Sequence, residues 1–143
     1  MADEGNEPDH DPDAAVPGTS SIAVVGIAAS GAETGSLERL LAASALLRHA
    51  AIVVMLQRSE DLTEQRRMTI RTASALDLVE IADGMAVEPG RVHLAPPRTR
   101  VTLDRGRFLL REAGEDPGGR GAVDGFLVSL AGEAGERAVA VVL

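Results

Sequence analysis

The sequence predicts an α/β fold: a doubly wound, mainly parallel sheet in a Rossmann-like three-layer arrangement, with a β-hairpin near residues 100–110. Three observations carry this reading. Continuous apolar, β-branched runs recur at 22–27 (IAVVGI), 51–56 (AIVVML) and 138–143 (AVAVVL), the kind of run that parallel strands buried on both faces require. Segments with helical spacing separate them. Alternation of strand and helix is the pattern of helices packed on a shared parallel sheet.

The elements follow in order. Residues 1–20 hold six acids and no base among Pro and Gly, so they are read as a disordered acidic tail. The ordered domain is read as 21–143. The first strand at 22–27 leads into a small-residue loop at 28–35. Ser36 is the natural cap of the next helix, whose Leu37, Leu40, Leu41, Ser44 and Leu47 share helical spacing. After the second strand, a helix is predicted from Asp61 to about Ala75, with Leu62, Met68 and Ile70 as its apolar contacts. A short strand at 77–81 precedes turns at Asp83-Gly84 and Pro89-Gly90. A strand at 91–95 ends at Pro96-Pro97. Residues 100–103 and 107–110 flank Asp104-Arg105-Gly106, a hairpin signal with Gly106 suited to positive φ. A Gly-rich loop at 112–121 follows. Val123, Phe126, Leu127 and Leu130 then line one helix face before the last strand.

Composition narrows the function classes. The 143 residues suit one domain, and their only aromatics are Phe108 and Phe126, so Val, Leu, Ala and Ile must fill the core. Net charge is −8, and removing the six tail acids leaves −8 + 6 = −2 for the remainder. No basic stripe for nucleic acid is evident, although all 14 basic residues are Arg. Absence of cysteine excludes disulfides, thiolate metal sites and a cysteine nucleophile. No apolar run is long enough for a transmembrane helix, so no membrane insertion is expected, and neither is a secretory signal. A cytoplasmic protein without cofactor is the expectation. His10, among the tail acids, has no fixed partners that would make it a metal ligand. Arg66, Arg67 and Arg71 are read as a solvated helix face pairing with Asp or Glu, and Asp61 and Glu64 as acids favouring a helix start.

The loop after the first strand is the usual site position in an open α/β sheet. It is not a P-loop, since no Gly-Lys-Ser/Thr follows. Gly26, Ala28 and Gly31 break the dinucleotide fingerprint, and Ala28 and Ala32 break the Gly-x-Ser-x-Gly elbow around Ser30. By pattern alone, Ser30 is a loop serine or a helix cap.

Residues 24–30 (VVGIAAS) resemble the first strand and nucleophile loop of CheB-type protein-glutamate methylesterase domains, where a Gly-Ala-Ser-x-Gly-Gly pattern carries the nucleophile. Residues 51–54 (AIVV) resemble the family's second strand. Residues 83–97 (DGMAVEPGRVHLAPP) follow its linking segment nearly residue for residue, and 135–143 (GERAVAVVL) resemble the strand leading to its catalytic aspartate. The resemblance covers about 22–143, and the tail is too short to be the family's receiver domain.

The resemblance implies serine hydrolysis of glutamyl methyl esters, with the cytoplasmic domain of a methylated chemoreceptor as partner and Ser30 as nucleophile. It also exposes departures. The segment after Ser30 reads as about three residues longer than the family's and carries Glu33. The family's histidine position falls on Gln57, or on Arg58 if the alignment shifts by one, and neither side chain exchanges a proton at neutral pH. His49 lies at the opposite end of its strand, and His93 lies in the linking segment, where a structural role is expected. The Ser-Gly-x-Gly-x-Asp segment that supplies the family's aspartate would follow Leu143, with the elements that close the fold. Three readings stay open: a degenerate methylesterase, a non-catalytic module binding a chemoreceptor or a methyltransferase partner, and a fragment continued in an adjacent reading frame.

Overall fold

The computed structural model describes residues 22–30, 34–58, 62–114 and 120–143. The acidic tail, Glu33, Asp61 and the middle of the Gly-rich loop lie outside the described residues. Among the described residues, seven strands form, β1 (Val24–Ala29), β2 (Ala51–Leu56), β3 (Asp77–Glu80), β4 (Arg91–Leu94), β5 (Thr99–Asp104), β6 (Arg107–Glu112) and β7 (Ala138–Val142). Three α-helices accompany them among the described residues, α1 (Thr34–Ala42), α2 (Glu64–Ala73) and α3 (Arg120–Ala134). Five strands make one sheet in the order β3-β4-β2-β1-β7, every pair parallel, and β5 and β6 form a separate antiparallel hairpin.

Strand alternation sorts the core into two layers. Val25, Ile27, Ala29, Ile52 and Val54 pack under Leu37 and Leu41 of α1 and Ile70 of α2. Val24, Ala51, Val53 and Met55 pack against Phe126, Leu130 and Ala134 of α3 and against Val101, Leu103 and Phe108 of the hairpin. Helices therefore cover both faces of the sheet, as its apolar runs require.

Gly26 is the point of closest approach between β1 and α3. A Cβ there would stand 2.8 Å from Phe126 Cε2 and 3.0 Å from Leu130 Cδ2, and both side chains are buried. We expect Gly26→Ala to lower unfolding free energy by about 1–3 kcal/mol through overpacking. Urea unfolding followed by far-UV circular dichroism measures this, and an unchanged midpoint would show that α3 adjusts freely.

The hairpin matches its sequence signal with one addition. Both turn residues, Arg105 (φ 53°) and Gly106 (φ 81°), are left-handed, as a two-residue type I′ turn needs. Arg105 bears a penalty of roughly 1 kcal/mol for this. The turn is tied to α3, because Glu133 accepts the Gly106 N–H at 2.8 Å. Ser129 Oγ accepts the Leu103 N–H at 2.6 Å and donates to the Leu103 carbonyl at 3.2 Å.

Several local expectations are corrected. Ser36 lies inside α1 rather than capping it, because the helix starts two residues earlier, at Thr34. Residues 34–36 therefore belong to the helix, and only 30–33 separate β1 from it, so the loop is shorter than the sequence suggested. The predicted continuation to Leu47 tightens into a 3₁₀ turn over Ser44–Leu47, introduced where the Ala43 N–H is shared between the Arg39 and Leu40 carbonyls. Leu47 is consequently exposed while Ser44 is buried. α2 starts later than predicted because Thr63 caps it, accepting the Arg66 N–H at 3.1 Å. Its inward face is Arg66 and Ile70, and Met68 is 61% exposed instead of packed. Arg66 thus leaves the solvated face assigned to it. Arg67 stays there, pairing with Glu64 and Glu80, while Arg71 reaches the Leu78 carbonyl. Finally, β7 pairs only with β1 among the described strands, and Val139 and Val142 are exposed, so this apolar run is not buried on both faces.

Candidate functional site

The chain runs β1–α1–β2 toward one side of the sheet and returns to place β7 on the other side of β1. The strand order therefore reverses at β1, and the crevice at its carboxyl end is where open α/β sheets bind ligands. Ser30 is the first residue past that end and is half-buried.

Register defines what surrounds it. Ala29 pairs with Leu56 and Ala28 with Val142. The Gln57 N–H donates to the Ala29 carbonyl and the Leu143 N–H to the Ala28 carbonyl, each at 2.8 Å. Ser30 and Gln57 are the next residues in the β1–β2 register, on strands about 5 Å apart. Both Ser30 and Gln57 are half-buried at this carboxyl edge. Arg58 follows Gln57, exposed.

Neither described histidine is at this edge. His49 is exposed in the turn before β2, at the opposite end of a strand that spans about 20 Å. His93 is fully buried in β4, which β2 separates from β1. Its Nδ1 lies 2.9 Å from the Ile52 carbonyl, its Nε2 accepts the Glu88 N–H at 3.3 Å, and its ring meets Phe108 at 5.1 Å between centroids. Burial holds its pKa below the ordinary value of 6.5, against smaller opposing effects of the bond to Ile52 and of the Glu88 carboxylate. With both nitrogens engaged by backbone, His93 has a structural place, as its position in the linking segment suggested.

α1 begins at Thr34, shortly after Ser30, so its first turn brings backbone N–H groups without helical partners and the positive end of the helix dipole near this edge. An acyl oxyanion is the kind of charge such donors stabilise. A groove between α1 and α2, lined by Glu38, Gln65, Met68, Thr69, Thr72 and Ala73, contains neither Ser30 nor Gln57. Among the described residues, no three His, Asp or Glu gather as metal ligands, and no helix is long and apolar enough to cross a membrane.

Two features escaped the sequence reading. The approach of Phe126 to Gly26 was signalled by a glycine inside an otherwise β-branched strand. The burial of Arg66 was signalled only by its spacing of four from Ile70, which an arginine ordinarily outweighs.

A family model described as CheB methylesterase matches residues 25–143. Among solved structures, the CheB methylesterase catalytic domain of Thermotoga maritima is similar, with a TM-score of 0.71 and 25% identity, over 85% of this chain and 67% of that one. No curated protein matches the sequence.

Proposed function

Because the chain belongs to the CheB methylesterase family, we propose that its carboxyl-edge crevice receives a glutamyl methyl ester of a chemoreceptor and holds it without appreciable hydrolysis. The observation that carries this reading is that Ser30 and Gln57 each directly follow the last register pair of β1 and β2, Ala29 and Leu56, with the Gln57 N–H bonded to the Ala29 carbonyl.

Ester hydrolysis by a serine proceeds by attack of Oγ on the carbonyl carbon, loss of methanol and attack of water on the acyl-enzyme. A hydroxyl is a weak nucleophile at neutral pH unless a base takes its proton as the new bond forms, and the same group must return that proton to the leaving methoxide. The amide of Gln57 donates and accepts hydrogen bonds but cannot take up a proton and give it back. Loss of the base from a serine hydrolase lowers turnover by roughly 2 × 10⁶. Binding does not depend on that proton transfer, so the crevice and the donors near the start of α1 retain a use. On this reading, the partner is the cytoplasmic domain of a methylated receptor and the setting is cytoplasmic.

The test is binding of a methylated receptor cytoplasmic fragment and of its demethylated counterpart. Preference for the methylated fragment, retained by Ser30→Ala, is the expected result. Equal or undetectable binding of both fragments by the folded chain would remove the proposal.

A further inference from the structure

We propose that His93 is an acid-released latch that holds the β5–β6 hairpin and the 83–88 segment on the sheet. The geometry leaves its ring one neutral form. The Ile52 carbonyl can only accept, so Nδ1 carries the proton; the Glu88 N–H can only donate, so Nε2 must be bare. This single tautomer joins β2 to the chain at Glu88, while the ring face supports Phe108 of β6.

The 83–88 segment and the hairpin move as one unit, because backbone bonds tie them together. The Gly84 N–H donates to the Phe108 carbonyl at 2.7 Å, Val87 to Gly106 at 2.9 Å and Phe108 to Met85 at 2.8 Å. Asp83 adds a side-chain bond to the Leu110 N–H at 2.9 Å. A proton on Nε2 sets two donors against each other at the Glu88 contact and places a cation beside Phe108 in an apolar layer. The contact opens, and what opens with it is the hairpin.

The surrounding charges do not rescue the protonated ring. On the 83–88 segment, Asp83 is engaged by Leu110, and Glu88 attracts the ring but is paired with Arg91 at 2.8 Å. On β4, Arg91 repels a charged ring, and it also reaches Asp77 of β3. Glu80 of β3 pairs with Arg67, and Val79 is the residue in register with His93. Arg107 of β6 is directed to the Gly84 carbonyl, and Glu133 of α3 to the hairpin turn. β2 presents only Ile52, Val53 and Val54 along this register.

Since burial depresses the folded-state pKa, the open state binds the proton more tightly. Closure is complete above the ordinary pKa of 6.5 and weakens as pH falls below it, until the folded value is reached. Hydrogen exchange on the full chain between pH 8 and 5.5, corrected for intrinsic rates, reads this directly. The opening constant for 84–88 and 101–110 should rise toward about tenfold per pH unit below pH 6.5, with β1 and β2 unaffected. His93→Gln, which keeps one donor and one acceptor, should flatten the profile, and Glu88→Gln should leave it in place. An NMR titration of the wild-type ring guards against a variant that fails to fold. A His93 ring that titrates at or above the ordinary histidine value of 6.5, or pH-independent exchange in the hairpin, would overturn the proposal.

Discussion

Replacing Phe108 with Ala should lower the free energy of unfolding by about 3–5 kcal/mol. The side chain is fully buried where β6, the sheet and His93 meet. Its layer mixes small residues such as Ala51, Val53, Val87 and Val101 with larger ones such as Leu103 and Leu130. The only other aromatic, Phe126, is already committed to Gly26. The loss combines the transfer term with a cavity term. Against a typical domain stability of about 5–15 kcal/mol, that is a large fraction. Urea unfolding monitored at far-UV wavelengths measures it, and a loss under about 1 kcal/mol would mean that the hairpin layer collapses onto the sheet with ease.

The second large effect is a gain. On the proposed reading Ser30 lacks a base, so Gln57→His should create Ser30-dependent hydrolysis of a methyl ester. Its size follows from known serine hydrolases, where loss of the base costs roughly 2 × 10⁶ and loss of the orienting carboxylate only about 3 × 10⁴. A serine–histidine pair, even with no carboxylate to orient the histidine, should then outperform the wild-type chain by on the order of 10²-fold. The rise should vanish in Gln57→His combined with Ser30→Ala. No rise in a folded variant would mean that residue 57 does not present its side chain to Ser30.

The sheet was legible because its strands announce themselves. Residues 24–29 and 51–56 are unbroken apolar runs that suit only strands covered on both faces, and the structure buries nearly all of them. The hairpin was legible for a different reason, the demand of Gly106 for positive φ between two alternating segments. Helix details were less so. Met68 and Arg66 exchange the roles that hydrophobicity assigns, because once Thr63 fixes the start of α2, geometry places residues 66 and 70 inward whatever their chemistry. β7 reads like a central strand but pairs with β1 alone among the described strands, a fact of topology that its composition does not carry. At the site, the sequence located Ser30 and Gln57, and the β1–β2 register supplied what it lacked, that they stand level at the carboxyl edge. His93 was assigned a structural place by position alone. Its two backbone bonds, invisible in the sequence, give the physical reason.

Methanol release from a methylated receptor fragment tests the central claim most directly, with the folded wild-type chain and its Ser30→Ala variant compared at equal concentration. The account predicts indistinguishable rates near background, because on the proposed reading Gln57 cannot take the Ser30 proton. A wild-type rate well above background that Ser30→Ala abolishes would contradict it, and would mean that some group other than Gln57 serves Ser30 as base.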